Sequence, residues 1–251
     1  KAEGGGEEWL VSRVVSYNVL AKCYAKQKHF DACKPEHLKW SERRGALLEV
    51  LDELDADILC LQEVEDYDRF WVKELSSRGY SGVYKKRNSD RKYDGCATFF
   101  RTDKYEKLDI QGIEFDHHCS QRGGDATPDF ATHNVALITV LRPRNRANGH
   151  FVVANAHLFW DPSYEDLKIS QARALVRAAE EMAGRYGSAP IILAGDFNSV
   201  PTSCVYSYIT SAAAFSSAYA TVSKNLPPPQ AAPDGPAKLP AGAAVAGSKG
   251  G

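Results

Sequence analysis

Pro190-Ile191-Ile192-Leu193-Ala194-Gly195-Asp196-Phe197-Asn198-Ser199-Val200-Pro201 is the stretch on which the reading of this chain turns. An apolar run of strand length stops at a glycine, a carboxylate and an amide. Short aliphatic runs bounded by turn formers read as buried strands. Such a strand carries the polar group that follows it to the rim of a sheet, on a rigid support. The pattern recurs three times. Val11 to Tyr17 runs into Asn18, Ile58 to Leu61 runs into Gln62 and Glu63, and Phe151 to Ala156 runs through Asn155 into His157. With these strands side by side, Asn18, Glu63, His157, Asp196 and Asn198 converge on one rim.

Between these runs the pattern changes period. Pro35 and Glu36 open a helical stretch in which Leu47, Leu51 and Leu54 recur at i, i+4 and i+7. Asp68 to Leu75 reads as a short helix ended by Gly79. Cys96 to Phe100 reads as a strand entered through the turn dipeptide Asp94-Gly95. Asn134 to Leu141 is a further strand, followed by a hairpin loop from Arg142 to Gly149. Ser163 to Arg185 turns helical again, with Ala172, Leu175, Val176, Ala179 and Met182 on one face and Gly187 as its stop. A short helix follows Pro201. No internal repeat, dinucleotide fingerprint or Walker loop is present. Strands with helices packed outside them predict a sheet-rich, layered α/β domain. Half of the chain's 12 prolines lie between Pro227 and Pro240, amid Ala and Gly. Such a segment buries too little apolar surface to offset its ordering entropy. The expected organisation is a flexible segment at 1–10, a domain at 11–210 and a disordered Pro/Ala/Gly-rich tail at 211–251.

The 251 residues are 43% hydrophobic and 25% charged, the balance of a soluble globular chain. No run approaches the roughly 20 apolar residues that span a bilayer, and Lys1 to Glu8 show no secretory signal. Six scattered cysteines, without a C-x-x-C pair, argue for a reducing compartment, cytoplasmic or nuclear. A net charge of −1 does not suit a protein that wraps duplex DNA. The basic clusters Lys85-Lys86-Arg87, Arg91-Lys92 and Arg142, Arg144, Arg146 read as solvated loops.

Glu63 and Asp196 are hard oxygen ligands suited to magnesium or manganese. Asn18 and Asn198 can donate to phosphate oxygens without adding charge. His157 can hydrogen-bond a phosphate or act as an acid at neutral pH. Asp196 can orient or deprotonate a water. No serine or cysteine with an adjacent base offers itself as a covalent nucleophile. Taken singly, each residue has a plainer reading as a surface group or turn former. Their recurrence at four strand ends is what points to metal-assisted hydrolysis of a phosphoester.

Val14-Val15-Ser16-Tyr17-Asn18-Val19-Leu20, Leu59-Cys60-Leu61-Gln62-Glu63-Val64, Asn155-Ala156-His157-Leu158 and Gly195-Asp196-Phe197-Asn198-Ser199 resemble, in order, four motifs of the endonuclease/exonuclease/phosphatase superfamily. Tyr93-Asp94-Gly95-Cys96-Ala97, Asn134-Val135-Ala136-Leu137, His157 to Pro162, and Lys39-Trp40 with Arg43-Arg44 are similar to its deadenylase branch. That branch includes nocturnin, the Angel proteins and the carbon-catabolite-repressor exonucleases. The resemblance implies a four-layer αββα sandwich of two mixed β-sheets flanked by helices. It also implies a magnesium-dependent 3′-to-5′ exoribonuclease that removes adenylates from single-stranded RNA, acting as a monomer. It makes Glu63 the principal metal ligand, with Asp196 positioning water and Asn198 holding phosphate or a second metal. Asn18 supports the cluster and His157 contacts the scissile phosphate. Asn134, Phe159 and Trp160 lie near the substrate, the two rings as base-stacking surfaces. The superfamily's final Asp-His has no counterpart after Asp196, so the last strands are expected to be missing. Two alternatives stay open: a phosphatase acting on a nucleotide or RNA-end phosphate, including a 2′,3′-cyclic one, and a catalytically silent RNA-binding homologue.

Overall fold

The computed structural model describes residues 11–119, 131–146 and 149–223. Strand β1, Val14–Asn18, leads through two 3-10 turns, Gln27–His29 and Pro35–Leu38, into helix α1, Trp40–Leu54. Asp55 stops that helix in the left-handed conformation, φ 41°. Strand β2, Ile58–Gln62, is followed by a π-helical turn, Tyr67–Trp71, and α2, Val72–Ser76. Strands β3 (Tyr80–Lys86), β4 (Gly95–Arg101) and β5 (Tyr105–Glu114) come next, then the short α3, Phe115–Cys119. Strands β6 (Val135–Pro143) and β7 (Phe151–His157) precede the long α4, Glu165–Arg185, and β8, Ile191–Asp196. Helix α5, Cys204–Ser207, continues into a π-helical turn, Tyr208–Ala212. Helix α4 carries Glu165 and Asp166 in its first turn and Arg185 in its last, as the helix dipole favours.

Among the described residues two four-stranded mixed sheets form, ordered β1-β2-β4-β3 and β5-β6-β7-β8. The alternation of side chains along a strand explains the layers. On β2, Leu59 and Leu61 face a cluster with Leu51 of α1 and Leu75 of α2. Ile58 and Cys60 face the other way, onto Phe100, Leu141, Phe151 and Val153 between the sheets. On β7, Val152, Ala154 and Ala156 pack against Leu175, Ala179 and Met182 of α4. The order is therefore helix, sheet, sheet, helix, as the resemblance implied. Among the described residues β1 and β8 are each paired on one side, and their side chains are mostly half-buried.

The register matters most at the strand ends. In the parallel pair β1/β2, Asn18 lies opposite Gln62; in the parallel pair β7/β8, His157 lies opposite Asp196. All four motif-bearing strands thus end together. A buried polar tie locks the two pairs against each other. Asn155 donates to the carbonyls of Leu61 and Ala97 at 3.1 and 2.9 Å and accepts from the Gln62 amide at 2.8 Å.

Three features differ from the sequence reading. The first strand starts at Val14; Val11 is largely exposed. Strands β3 and β5 carry no clean alternation and were not legible; β5 runs along a sheet edge with a bulge at Lys107/Asp109. The basic clusters divide: Lys85 pairs with Glu114, Arg142 with Glu106 at 2.5 Å, and Arg87 is buried against Asp94, while Arg91, Lys92, Arg144 and Arg146 lie in loops as read. The chain divides into Lys1–Ala214 and Phe215–Gly251. The second unit, taken by itself, holds helix α6, Ala218–Ser223, inside the span read as a disordered tail. The readings for 1–10 and 224–251 lie outside the described residues. Among the described residues no helix is long and apolar enough to cross a membrane.

Candidate active site

The four strand ends do not simply stop; three of them turn through left-handed backbone. Leu20, Glu63 and Asn198 have φ of 54°, 58° and 45°. An L-residue pays about 1–2 kcal/mol for this conformation, and such strain collects at functional sites. Gly195 adds a requirement of its own. Its φ is 143°, and a Cβ there would meet the Ala156 carbonyl oxygen at 2.1 Å, so only glycine lets β8 lie this close to β7.

At the centre is Asn18. Its one Nδ2 donates to Glu63 Oε1 and to Asp196 Oδ2, each at 2.9 Å, while its Oδ1 accepts from Leu20 N at 3.0 Å. The second Glu63 oxygen accepts from Ala21 N at 2.8 Å. Asp196 Oδ1 accepts from Asn198 N at 3.0 Å, and the Asn198 amide donates to the Leu158 carbonyl at 3.0 Å. Arg43 of α1 holds the same turn, donating to the carbonyls of Val19 and Leu20 at 2.6 and 2.7 Å. The two carboxylates, gripping one nitrogen, are thus at most roughly 6 Å apart.

His157 closes the cluster, with Nε2 3.9 Å from Asp196 Oδ2 and Nδ1 3.5 Å from an Arg87 nitrogen. Burial first, then the Arg87 charge, pushes its pKa down to about 4. The ring is neutral at pH 7. Of the two roles open to it, this favours a hydrogen-bond donor over an acid. Arg87 is itself held by Asp94 at 2.9 Å, and Asp94 accepts from the Tyr24 hydroxyl at 3.2 Å. This buried Arg87–Asp94 pair was missed. Its signal was the pair of motifs on either side of it, read as a loop and a turn.

Asn134 and Phe159 are not on an open face. Asn134 donates to the His157 carbonyl at 2.8 Å and is buried, so it braces the histidine from beneath. Phe159 packs on Leu167 and Tyr164. At 8% exposure the Phe159 ring offers a base almost no surface to stack on, which speaks against that expectation. Trp160, 67% exposed, is free to do so.

Among the described residues no three His, Cys, Asp or Glu side chains form a metal cage. The donor set nevertheless fits magnesium, which takes one or two carboxylates and keeps the rest of its shell for water and substrate phosphate. Glu63 makes no ion pair among the described residues. Burial raises its carboxyl pKa, and the bonds from Asn18 and Ala21 offset that only in part. A desolvated carboxylate beside a second one is a place for a cation.

The Endonuclease/Exonuclease/phosphatase family matches residues 15–230. Carbon catabolite repressor protein 4 homolog 4 of Arabidopsis thaliana is 36% identical over 231 residues, covering 79% of this chain and 55% of its own length. The CCR4-Not complex 3′-5′-exoribonuclease subunit Ccr4 of Schizosaccharomyces pombe is 32% identical, covering 79% of this chain and 34% of its own length. The chain therefore spans about half, or less, of these relatives. Among solved structures, ANGEL2, a 2′,3′-cyclic phosphatase bound to adenosine-2′,3′-vanadate, is 33% identical with a TM-score of 0.69, covering 79% of this chain and 57% of that one. The human nocturnin catalytic domain with a bound sulfate anion is 27% identical with a TM-score of 0.69, covering 87% and 76%.

Proposed function

We propose that this chain, which belongs to the endonuclease/exonuclease/phosphatase family, is a magnesium-dependent phosphodiesterase that removes adenylates from the 3′ end of single-stranded RNA. The observation that carries the reading is the single Asn18 amide bridging Glu63 and Asp196 at the rim where all four motif-bearing strands end. Glu63, with Asp196 and Asn198 beside it, would hold the magnesium; manganese suits the same oxygens. When bound, the cation supplies charge neutralisation at the phosphate and a lower pKa for water. The protein's own groups do the rest. Asp196, fixed by Asn18 and Asn198 N–H, orients the attacking water. Asn18, both of whose amide hydrogens go to Glu63 and Asp196, holds the two carboxylates together, and Asn198, with one amide hydrogen on the Leu158 carbonyl, offers the other to a phosphate oxygen. Neutral His157 donates to a non-bridging oxygen as charge builds there. Trp160 offers its exposed face to a base. The relatives named as 3′-5′-exoribonucleases support RNA as the substrate class, and we take the chain to act in the cytoplasm or nucleus as a monomer.

A second reading has its own support: the ANGEL2 structure is that of a 2′,3′-cyclic phosphatase at 33% identity. Two RNAs of the same sequence separate the readings, one ending in a 3′-hydroxyl adenosine run and one in a 2′,3′-cyclic phosphate. Stepwise shortening of the first supports the deadenylase; loss of the cyclic phosphate without shortening supports the phosphatase.

A further inference from the structure

Most of the buried face of α4 is apolar core: Ala172, Leu175, Val176, Ala179 and Met182. Its first turns differ. Lys168 and Gln171, three residues apart and so neighbours on one side of the helix, are 3% and 0% exposed. The Lys168 ammonium lies 3.2 Å from the Asn198 carbonyl oxygen and 2.9 Å from a Glu165 oxygen. Glu165 in turn accepts from Cys204 N at 3.0 Å. Gln171 Oε1 accepts from Phe159 N at 2.9 Å, and its Nε2 lies 3.4 Å from Thr132 Oγ1. Two adjacent side chains thus grip three loops: the one after β8, the one after β7 and the one before β6.

Burying an ammonium is costly, and one half-exposed carboxylate offsets little of it; a methionine would join the apolar face without that cost. What lysine provides and methionine cannot is a charged donor to the Asn198 carbonyl. Asn198 is the residue held at φ 45°, and its N–H fixes Asp196 Oδ1. We infer that Lys168 is a positioning residue of the strand-end site, with Gln171 as its companion on the His157 side. Lys168 holds the Asn198 turn in its left-handed form and so keeps the Asp196 carboxylate and the Asn198 amide on aim. The reaction it serves rests on the function proposed above; the contact does not.

The test therefore has two readouts on the full chain. The first is amide hydrogen exchange over 195–200, without ligand, against 172–183 of α4 as internal reference. The second is kcat and KM on 5′-labelled oligo(A) with magnesium. For Lys168→Met the expected result is exchange at 195–200 faster by about tenfold with α4 unchanged. With it, kcat falls roughly 10- to 100-fold, the range for residues that orient a site through another, at unchanged KM. Lys168→Arg, which keeps a charged donor, recovers most of both. If Lys168→Met does not fold, Lys168→Gln takes its place in the comparison with Lys168→Arg. Wild-type exchange at 195–200 in the variant without a charged donor, or faster exchange with wild-type kcat, would overturn the inference. If the wild-type chain does not shorten oligo(A) but exchange responds as described, the positioning role stands and the functional reading fails.

Discussion

Replacing Asn18 by alanine takes one amide from between two carboxylates, and its cost can be worked from the contacts. Two donated bonds to ionised groups are lost, each at 2.9 Å, and one bond accepted from Leu20 N. Bonds to charged groups contribute about 1.5–3 kcal/mol and neutral ones about 1 kcal/mol. All three residues are half-buried, so the low end applies, for a gross loss of about 4 kcal/mol. Freeing the left-handed Leu20 returns about 1 kcal/mol. A net cost of about 3 kcal/mol is expected, read from urea denaturation followed by tryptophan fluorescence. Magnesium should narrow the gap, because a cation takes the place of the amide between two carboxylates that repel by about 3 kcal/mol at an effective dielectric near 20. A cost below about 1 kcal/mol, or a gap that widens with magnesium, would refute the reasoning.

Asn155→Leu breaks the tie between the sheets. With three buried bonds at about 1 kcal/mol each, a loss of about 3 kcal/mol is expected in the same denaturation experiment. Phe159→Ala and Trp160→Ala should separate cleanly. The buried ring costs about 3–5 kcal/mol of stability. The exposed one leaves stability alone and raises KM for oligo(A) by the about 1–3 kcal/mol of a lost base stack. His157 gives a pH prediction. Its folded pKa is depressed from 6.5 to about 4, so the unfolded chain takes up the proton first. The stability from this group is complete above pH 6.5 and is lost as pH falls towards 4. His157→Asn should flatten that part of the acid limb, measured as urea midpoints across the same range.

The strands that carry the site were legible in two ways: β2 and β7 are buried along their whole length, while β1 and β8, half-buried, show as short β-branched and aliphatic runs. Ile58, Leu59, Cys60 and Leu61 are all fully buried, and such a run announces itself without alternation. Strand β5 was not legible because it is a sheet-edge strand whose Glu106, Lys107, Asp109 and Gln111 imitate a loop. The same logic divides the site. Asn18, Glu63, His157, Asp196 and Asn198 follow directly on their strands, so position in sequence foretold position in space. Arg87 and Lys168 did not, because long side chains reach the site from elements whose local pattern says strand end and helix. Arg87 needed Asp94 beside it to be buried, and that pairing comes from the β3–β4 register. Phe159 turns inward onto Leu167 and Tyr164, residues of the following helix and its approach, and that packing is not written in the loop's own sequence.

The measurement that bears most directly on the account is magnesium-dependent shortening of a 5′-labelled RNA ending in adenosines, run with this chain and with Glu63→Gln. Stepwise loss of adenylates from the 3′ end is expected, absent without magnesium and absent in the variant, whose fold is intact by circular dichroism. Equal shortening by the two proteins, or shortening that persists in chelator, would contradict the assignment of Glu63 and the cation to one site.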